Sequence, residues 1–402
     1  MDHLAKNRRH STLAVLAVFV GVLMAKGVSD VSFADELKAY QNPGVIKTLP
    51  AFYKEAVGRM NFPMSWLSGR YAVFEAWRTI ARNRLLQALL TAPPTAAFEP
   101  TVLLIEDRGT HEFQKLALNL TRDSRVAAFM TVPKGRGPFP AVLLLHDHGA
   151  FFVIGKEKVI RPPAEDPHFQ ESLEWQTKYY GGRSLGDELA RRGYVCFATD
   201  MLNWGDRAGG GYDGQQALAC NLLQMGMTFS GLIAHEDLRA VEFLATRPEV
   251  DATRIAAMGL SVGCYRTWQI AALTDAVKAG VAICWMASHR GLLVPDQNQT
   301  RGQSAFTMIH PGLSNDLDYP DVASIACPKP MLFYNGTEDG LFPVASVEAS
   351  YAKMRKVWES QGAGERLETR LWNVPHLFNQ QMQDEAFAWL GRHLGVVPAG
   401  GR

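Results

Sequence analysis

The sequence is poor in cysteine, in net charge and in long apolar runs, and each shortage narrows what the chain can be. Its five cysteines, Cys196, Cys220, Cys264, Cys284 and Cys327, are scattered and odd in number, and none forms a C-x-x-C pair. That pattern argues against a disulfide-stapled framework. Cys196 and Cys284 lie in apolar strand-like runs and are expected as buried free thiols, with room left for one disulfide. The formal net charge is +1, with neither the basic excess that nucleic acid selects nor an acidic tail. No internal repeat or low-complexity tract is present. What remains is an ordinary globular balance, 47% hydrophobic and 20% charged over 402 residues, with ample material for a large core.

One apolar run stands at the N-terminus. Lys6, Arg8 and Arg9 precede Leu13 to Ala25, and Ser32-Phe33-Ala34 offers a small-x-small site before Asp35. The run is too short for a comfortable membrane span. It reads as a signal peptide over 1–34, cleaved after Ala34, which implies an exported protein, periplasmic or extracellular, with no stable membrane association afterwards. An uncleaved N-terminal anchor is the competing reading. Arg8-Arg9 hints at twin-arginine export, although the residues after it match that signal poorly, and no cysteine follows for a lipoprotein anchor.

The chemistry concentrates at Gly259-Leu260-Ser261-Val262-Gly263, a G-x-S-x-G pentapeptide. Arg254 to Met258 before it reads as a buried strand, and Val262 to Leu273 after it as a helix. A strand, a sharp turn and a helix expose such a serine hydroxyl above a sheet edge, and the tight turn requires small flanking residues. Without that context the motif is only a glycine-flanked turn serine.

The partners follow by elimination, because in this architecture the order along the chain is Ser, acid, His. His376 follows the strand-like Leu367 to Trp372 on a loop that can reach over the sheet edge. His393, the other histidine downstream, lies in the amphipathic stretch Met382 to Leu394 and is expected on its solvated face. For the acid, Pro330 to Gly336 reads as a strand, and Glu338 and Asp339 compete in the turn after it. Asp339, midway between Gly336 and Pro343, is the favoured one; an ordinary turn carboxylate is the alternative.

An oxyanion needs two donors. One is expected from the backbone N–H of Val262, directly after the nucleophile. The other is expected from the loop after Pro140 to Leu145, a plausible central strand; there His146-Asp147-His148-Gly149 follows, and the N–H of His148 is favoured. An H-x-H pair can also bind a metal, but no third ligand stands at a sensible spacing, so no metal site is expected.

These segments, in this order, resemble an α/β-hydrolase of the dienelactone hydrolase and acetyl xylan esterase type. The residues that carry the resemblance are Pro140 to Gly149, Gly193 to Asp200, Gly205-Asp206-Arg207, Val250-Asp251 with Arg254-Ile255, the Ser261 turn, Gly336 to Pro343 and Pro375-His376. Similarity runs over roughly Arg82 to Leu394. It implies a serine esterase of carboxylic esters, often acetyl or other acyl groups on carbohydrates. Asp147 stands where the family more often has glycine. The nucleophile is serine, whereas dienelactone hydrolases use cysteine, which points away from a dienelactone substrate. Cys264, three residues too late to replace Ser261, is expected as a small buried side chain.

Strand and helix signals alternate from Ala141 to Leu394, which predicts an α/β fold with a mostly parallel sheet and helices on both faces, the catalytic domain spanning 101–396. Residues 35–100 read as a helical extension and linker. In it, Ala72 to Leu90 is helical, with Trp77, Ile80, Leu85 and Leu89 as core candidates, and Thr91 to Pro100 is a linker. Two hairpin-like runs follow, Thr101 to Glu106 and Val126 to Val132. Residues 397–402 read as a flexible tail.

Phe151 to Gly182 shows no regular pattern. It contains the charged Lys156-Glu157-Lys158, the breaker Arg161-Pro162-Pro163 and the aromatics Trp175, Tyr179 and Tyr180. It is expected either at the pocket rim or as a surface insertion. Trp285, His289 and Arg290 are possible substrate-pocket residues, with core packing the alternative for Trp285. Arg207 is expected to brace its loop through a carboxylate, and His310 reads as a loop histidine.

The reading that follows is two-step acyl transfer on a small-molecule or carbohydrate ester, with no cofactor. Three alternatives stay open: a serine peptidase of the prolyl oligopeptidase type, for which a propeller domain has no room; a lactonase or thioesterase; and a non-catalytic hydrolase-like binding protein.

Overall fold

A computed structural model describes residues 51–294 and 303–395. The expected signal peptide over 1–34 and its expected cleavage site, the first part of the expected N-terminal extension and the expected tail over 397–402 lie outside the described residues. Residues Glu55 onward belong to one compact unit.

Among the described residues, nine strands form one sheet: β1 (Thr101–Asp107), β2 (His111–Thr121), β3 (Ser124–Pro133), β4 (Phe139–Leu145), β5 (Val195–Thr199), β6 (Val250–Leu260), β7 (Val277–Ile283), β8 (Met331–Gly336) and β9 (Leu367–Trp372). Their spatial order is β1-β2-β3-β5-β4-β6-β7-β8-β9. β5, β4 and β6 to β9 are mutually parallel, while β1 to β3 form an antiparallel meander that joins β5. The fold class expected from the sequence is the one found. β2 is an addition: the sequence shows two strand-like runs here, and the meander has three strands. In β2 polar residues such as Glu112, Lys115 and Asn119 interrupt the apolar ones, which hides the strand from a hydropathy reading.

The central strands are buried on both faces, as parallel strands covered by crossover helices must be. Their side chains alternate between two cores with the period of two that a strand dictates. From β4, Ala141, Leu143 and Leu145 enter one core and Val142 and Leu144 the other; from β6, Ile255 and Ala257 part from Ala256, Met258 and Leu260 in the same way. The first core is closed by α2 (Phe74–Leu89), α5 (Gly211–Gln224), α6 (Phe229–Thr246), α7 (Val262–Leu273), α9 (Tyr319–Ser324) and α10 (Val344–Ser360). The second is closed by α3 (Phe169–Tyr180), α4 (Leu185–Arg191) and α11 (Gln380–Leu394). The described residues also include two short helices, α1 (Ala51–Arg59) and α8 (His289–Leu292).

Two expectations need correction here. In α2, Trp77, Leu85 and Leu89 are buried, but Ile80 is exposed and Ala81 takes the core position. The buried face runs through Phe74, Trp77, Ala81, Leu85 and Ala88, a spacing of three and four that Ile80 falls outside. The second correction concerns Phe151 to Gly182, which is not irregular throughout. Lys156–Lys158 forms a short 3-10 turn, and α3 follows. The buried face of α3 carries Ser172 and Gln176 beside Trp175 and Tyr180, so polar residues mask its helical period.

Candidate active site

The parallel strands all end at one edge of the sheet, and every sequence-predicted catalytic residue follows such an end. Ser261 follows β6, Asp339 stands three residues after β8, and His376 stands four residues after β9. The chain leaves β4 towards β5 on one side and returns to β6 on the other, so the crevice beside β4 is the switch point where such sheets bind ligands.

Ser261 has φ 59° and ψ −124°, a strained backbone that a non-glycine residue adopts only where its surroundings enforce it. The enforcement is visible. The Ser261 N–H donates to the Ile283 carbonyl at 2.8 Å, and the Ser261 carbonyl accepts from Tyr265 N–H at 3.1 Å. A Cβ on Gly263 would lie 1.9 Å from the Leu145 carbonyl oxygen, and one on Gly259 would lie 2.4 Å from the Gly263 backbone. Both glycines are therefore steric requirements of this turn. Every residue of α7, which follows, is buried.

His376 Nδ1 lies 2.6 Å from Asp339 Oδ2. A carboxylate only accepts, so Nδ1 carries the proton and Nε2 is left as the acceptor. The other Asp339 oxygen accepts from Leu341 N–H at 3.0 Å. Asp339 is 2% exposed, whereas Glu338 is exposed and bonds through its backbone to Val374. His393 is half-buried against Trp389, 4.5 Å between ring centroids, on the outward end of α11. Cys284, buried, has its sulfur within 4.8 Å of the Asp339 and His376 ligand atoms. Burial and the Asp339 charge push its thiol pKa up, so it stays protonated beside the pair.

The loop after β4 is held by buried groups whose proton positions can be deduced. His146 Nε2 accepts from Met201 N–H at 3.0 Å, so its proton sits on Nδ1 and is donated to the Asp147 carbonyl at 2.9 Å. His148 Nδ1 accepts from Ala150 N–H at 3.0 Å, so Nε2 donates to Gln215 Oε1 at 2.7 Å. Burial lowers both histidines, His148 to about 4, so both rings are neutral props at physiological pH. Among the described residues, no hydrogen-bond acceptor takes the N–H of His148 or of Val262.

Asp147, the residue at odds with the family resemblance, has a structural explanation. Its carboxylate accepts from Trp175 Nε1 at 3.1 Å and Tyr180 Oη at 3.0 Å, and it faces Lys158 Nζ at 3.4 Å. Lys156-Glu157-Lys158, charged residues that sequence alone would leave in solvent, are all buried. Lys156 Nζ is surrounded by Glu157, Asp200 and Asp206 at 2.6, 2.8 and 2.9 Å. Burial alone would lower its pKa, but these three carboxylates raise it. The cluster of acids thus already holds its cation. Burial draws the Lys158 pKa down, with Asp147 opposing. Arg207 grips Glu236 with both arms, at 2.6 and 2.9 Å, and Ser124 and the Asp200 carbonyl at 3.0 Å each.

Of the expected pocket residues, His289 lines a cavity. That cavity, of about 240 Å³, is bounded among others by His289, His310, Tyr319, Met308 and Leu317. Trp285 is fully buried behind it, packed between Tyr265, Tyr319 and Phe342, and Phe342 in turn stacks on His376 with ring centroids 6.4 Å apart. Arg290 is exposed and stands outside the cavity. His310, which the sequence presents as a loop residue, is bonded to Gln269 Oε1 at 2.7 Å and Tyr265 Oη at 3.0 Å. Burial lowers His289 to about 4 and His310 to about 3, so the cavity presents neutral imidazoles. Sequence reasoning missed Lys158 and the anchoring role of Asp147; the only signal for them was charge inside an aromatic-rich stretch.

Residues 181–363 match the profile of the dienelactone hydrolase family. The chain is 28% identical over 289 residues to YtaP of Bacillus subtilis (strain 168), a protein described as a hydrolase; the match covers 72% of this chain and 90% of that protein. A Bacteroides fragilis structure described as an acetyl xylan esterase superposes with a TM-score of 0.61 at 15% identity, covering 80% of this chain and 81% of that one. A glucuronoyl esterase from Solibacter usitatus gives 0.58 at 13% identity, over 82% and 96%.

Proposed function

We propose that this chain is a carboxylic ester hydrolase of the α/β-hydrolase superfamily, in which Ser261, His376 and Asp339 perform two-step acyl transfer on acyl esters of carbohydrates or another extracytoplasmic ester. The observation that carries the mechanism is the buried Asp339 bonded to His376 Nδ1, which leaves Nε2 as an acceptor at the sheet edge that also bears the strained Ser261 turn. His376 takes the Ser261 proton as the hydroxyl attacks the ester carbonyl. Asp339 holds the ring in this tautomer and stabilises the imidazolium. The N–H groups of Val262 and His148 receive the oxyanion. His376 then protonates the leaving alcohol, and water repeats the sequence on the acyl-enzyme. No step calls for a cofactor.

The cavity beside His289 and His310 is where we place the part of the ester beyond the reacting carbonyl. Its neutral imidazoles and apolar lining suit hydroxyl groups and small acyl chains. The relatives described as acetyl xylan and glucuronoyl esterases support a carbohydrate-linked ester. The reading as an exported protein rests on the Lys6 to Ala34 segment.

Expressed in full in a bacterium, the protein is expected in the periplasmic or secreted fraction with Asp35 first. That material should hydrolyse p-nitrophenyl acetate and, more slowly, the butyrate, while Ser261→Ala loses turnover by several orders of magnitude. Retention of the full chain in the cytoplasm contradicts export. An active Ser261→Ala protein contradicts the mechanism.

A further inference from the structure

We infer that Lys158, a buried lysine outside the Ser-His-Asp set, is a positioning residue that aims and polarises the oxyanion-binding peptide; this rests on the serine mechanism proposed above. The Lys158 ammonium is fully buried. It donates to the carbonyl oxygens of both Asp147 and His148, each at 3.1 Å. Its third direction faces the Asp147 carboxylate, and its Nζ lies 4.6 Å from the ring centroid of Trp175.

The Asp147 carbonyl and the His148 N–H are the two ends of one planar amide. In a trans peptide they point in opposite directions, and the bond between Asp147 and His148 is not among the cis ones. Fixing the carbonyl inward on Lys158 therefore turns the His148 N–H outward, along the edge where Ser261 stands. The carbonyl is held twice over, because the deduced tautomer of His146 gives it a second donor at 2.9 Å. The next peptide is fixed in the same way: the His148 carbonyl accepts from Lys158 and from Trp204 Nε1, each at 3.1 Å. That orients the Gly149 N–H. A residue other than glycine cannot stand at 149, since a Cβ there would meet the Trp175 ring at 2.2 Å.

The arrangement also acts electrostatically. A cation on the carbonyl end draws electron density through the amide and strengthens the opposite N–H as a donor, the cooperativity of chained hydrogen bonds in a low-dielectric interior. An oxyanion at the N–H end then benefits from a positive charge one peptide away, already in place before the reaction begins. Asp147 has two tasks in this account. Its carbonyl carries the polarisation, and its carboxylate, held by Trp175 and Tyr180, keeps Lys158 in the interior.

The test compares Lys158→Met, Lys158→Arg and the double variant Asp147→Asn/Lys158→Met with the parent on p-nitrophenyl acetate. The double variant removes both buried charges together, so that no carboxylate is left unpaired. Turnover is divided by the fraction of chains whose Ser261 labels with a fluorophosphonate, so that misfolded protein does not count. Each Met-bearing variant is expected to lose about 10²–10³-fold in kcat per labelled serine, the loss typical of an oxyanion donor. KM should stay within about threefold, and affinity for a boronate that mimics the tetrahedral intermediate should fall in parallel. Lys158→Arg should recover part of the loss. A kcat per labelled serine close to the parent's, or a loss carried by KM, overturns the role of Lys158 and leaves the serine mechanism standing. A parent protein whose Ser261 does not label overturns that mechanism and this inference with it.

Discussion

At the scale of single residues, the site depends on which atom of each histidine carries the proton. Four buried or half-buried histidines are set differently by their neighbours. His146 and His148 each accept from a backbone N–H, which makes them neutral props. His310 is lodged between Gln269 and Tyr265, whereas His376 meets a carboxylate and keeps a free acceptor nitrogen. Asp339→Asn should therefore lower kcat by about four orders of magnitude with little change in KM, because an amide no longer selects the base tautomer. Steady-state kinetics on p-nitrophenyl acetate checks this, and a loss below about tenfold contradicts it. The positions of Ser261, Asp339 and His376 were legible in the sequence because each lies just after a recognisable strand. The Lys158 contacts were not legible, because a lysine in a charged triplet reads as solvated until its carbonyl partners are seen.

At the scale of elements, strands and helices that alternate in hydropathy were readable, and those with polar buried faces were not. β4 is apolar throughout, β6 is apolar and buried from Ile255 to Leu260, α7 is mostly apolar, and all three fall where the sequence places them. α3 escaped because Ser172 and Gln176 occupy its inner face, bonded to the Glu157 carbonyl at 2.6 and 3.1 Å. That helix is an internal support of the β4 loop, tied to it through Trp175 and Tyr180. Tyr180→Phe removes one donor from the buried Asp147 carboxylate without changing the ring packing. It should cost about 1.5–3 kcal/mol of stability, the worth of a hydrogen bond to a charged group. Urea unfolding measures it, and an unchanged midpoint contradicts the support role.

At the scale of the whole molecule, burial of neutral histidines makes stability depend on pH. The unfolded chain takes up protons on His289 and His310 below about pH 6.5, while the folded chain refuses them until about 4 and about 3. Their contribution is complete above about 6.5 and is lost as pH falls towards those values. The Tm of the parent should therefore fall more between about pH 7 and 4.5 than that of His310→Gln. Buried acids such as Asp318, whose pKa burial raises, oppose the trend, but both proteins share them, so the comparison isolates the histidine. Equal falls would contradict the assignment. The same architecture gathers Ser261, Asp339 and His376 from three strand ends into one edge, and the claim that they form a working set has a direct test. The purified protein is treated with a fluorophosphonate and its peptides are mapped by mass. One adduct per chain on Ser261, absent from His376→Ala, is the predicted result. No adduct, or one elsewhere that persists in His376→Ala, would contradict it.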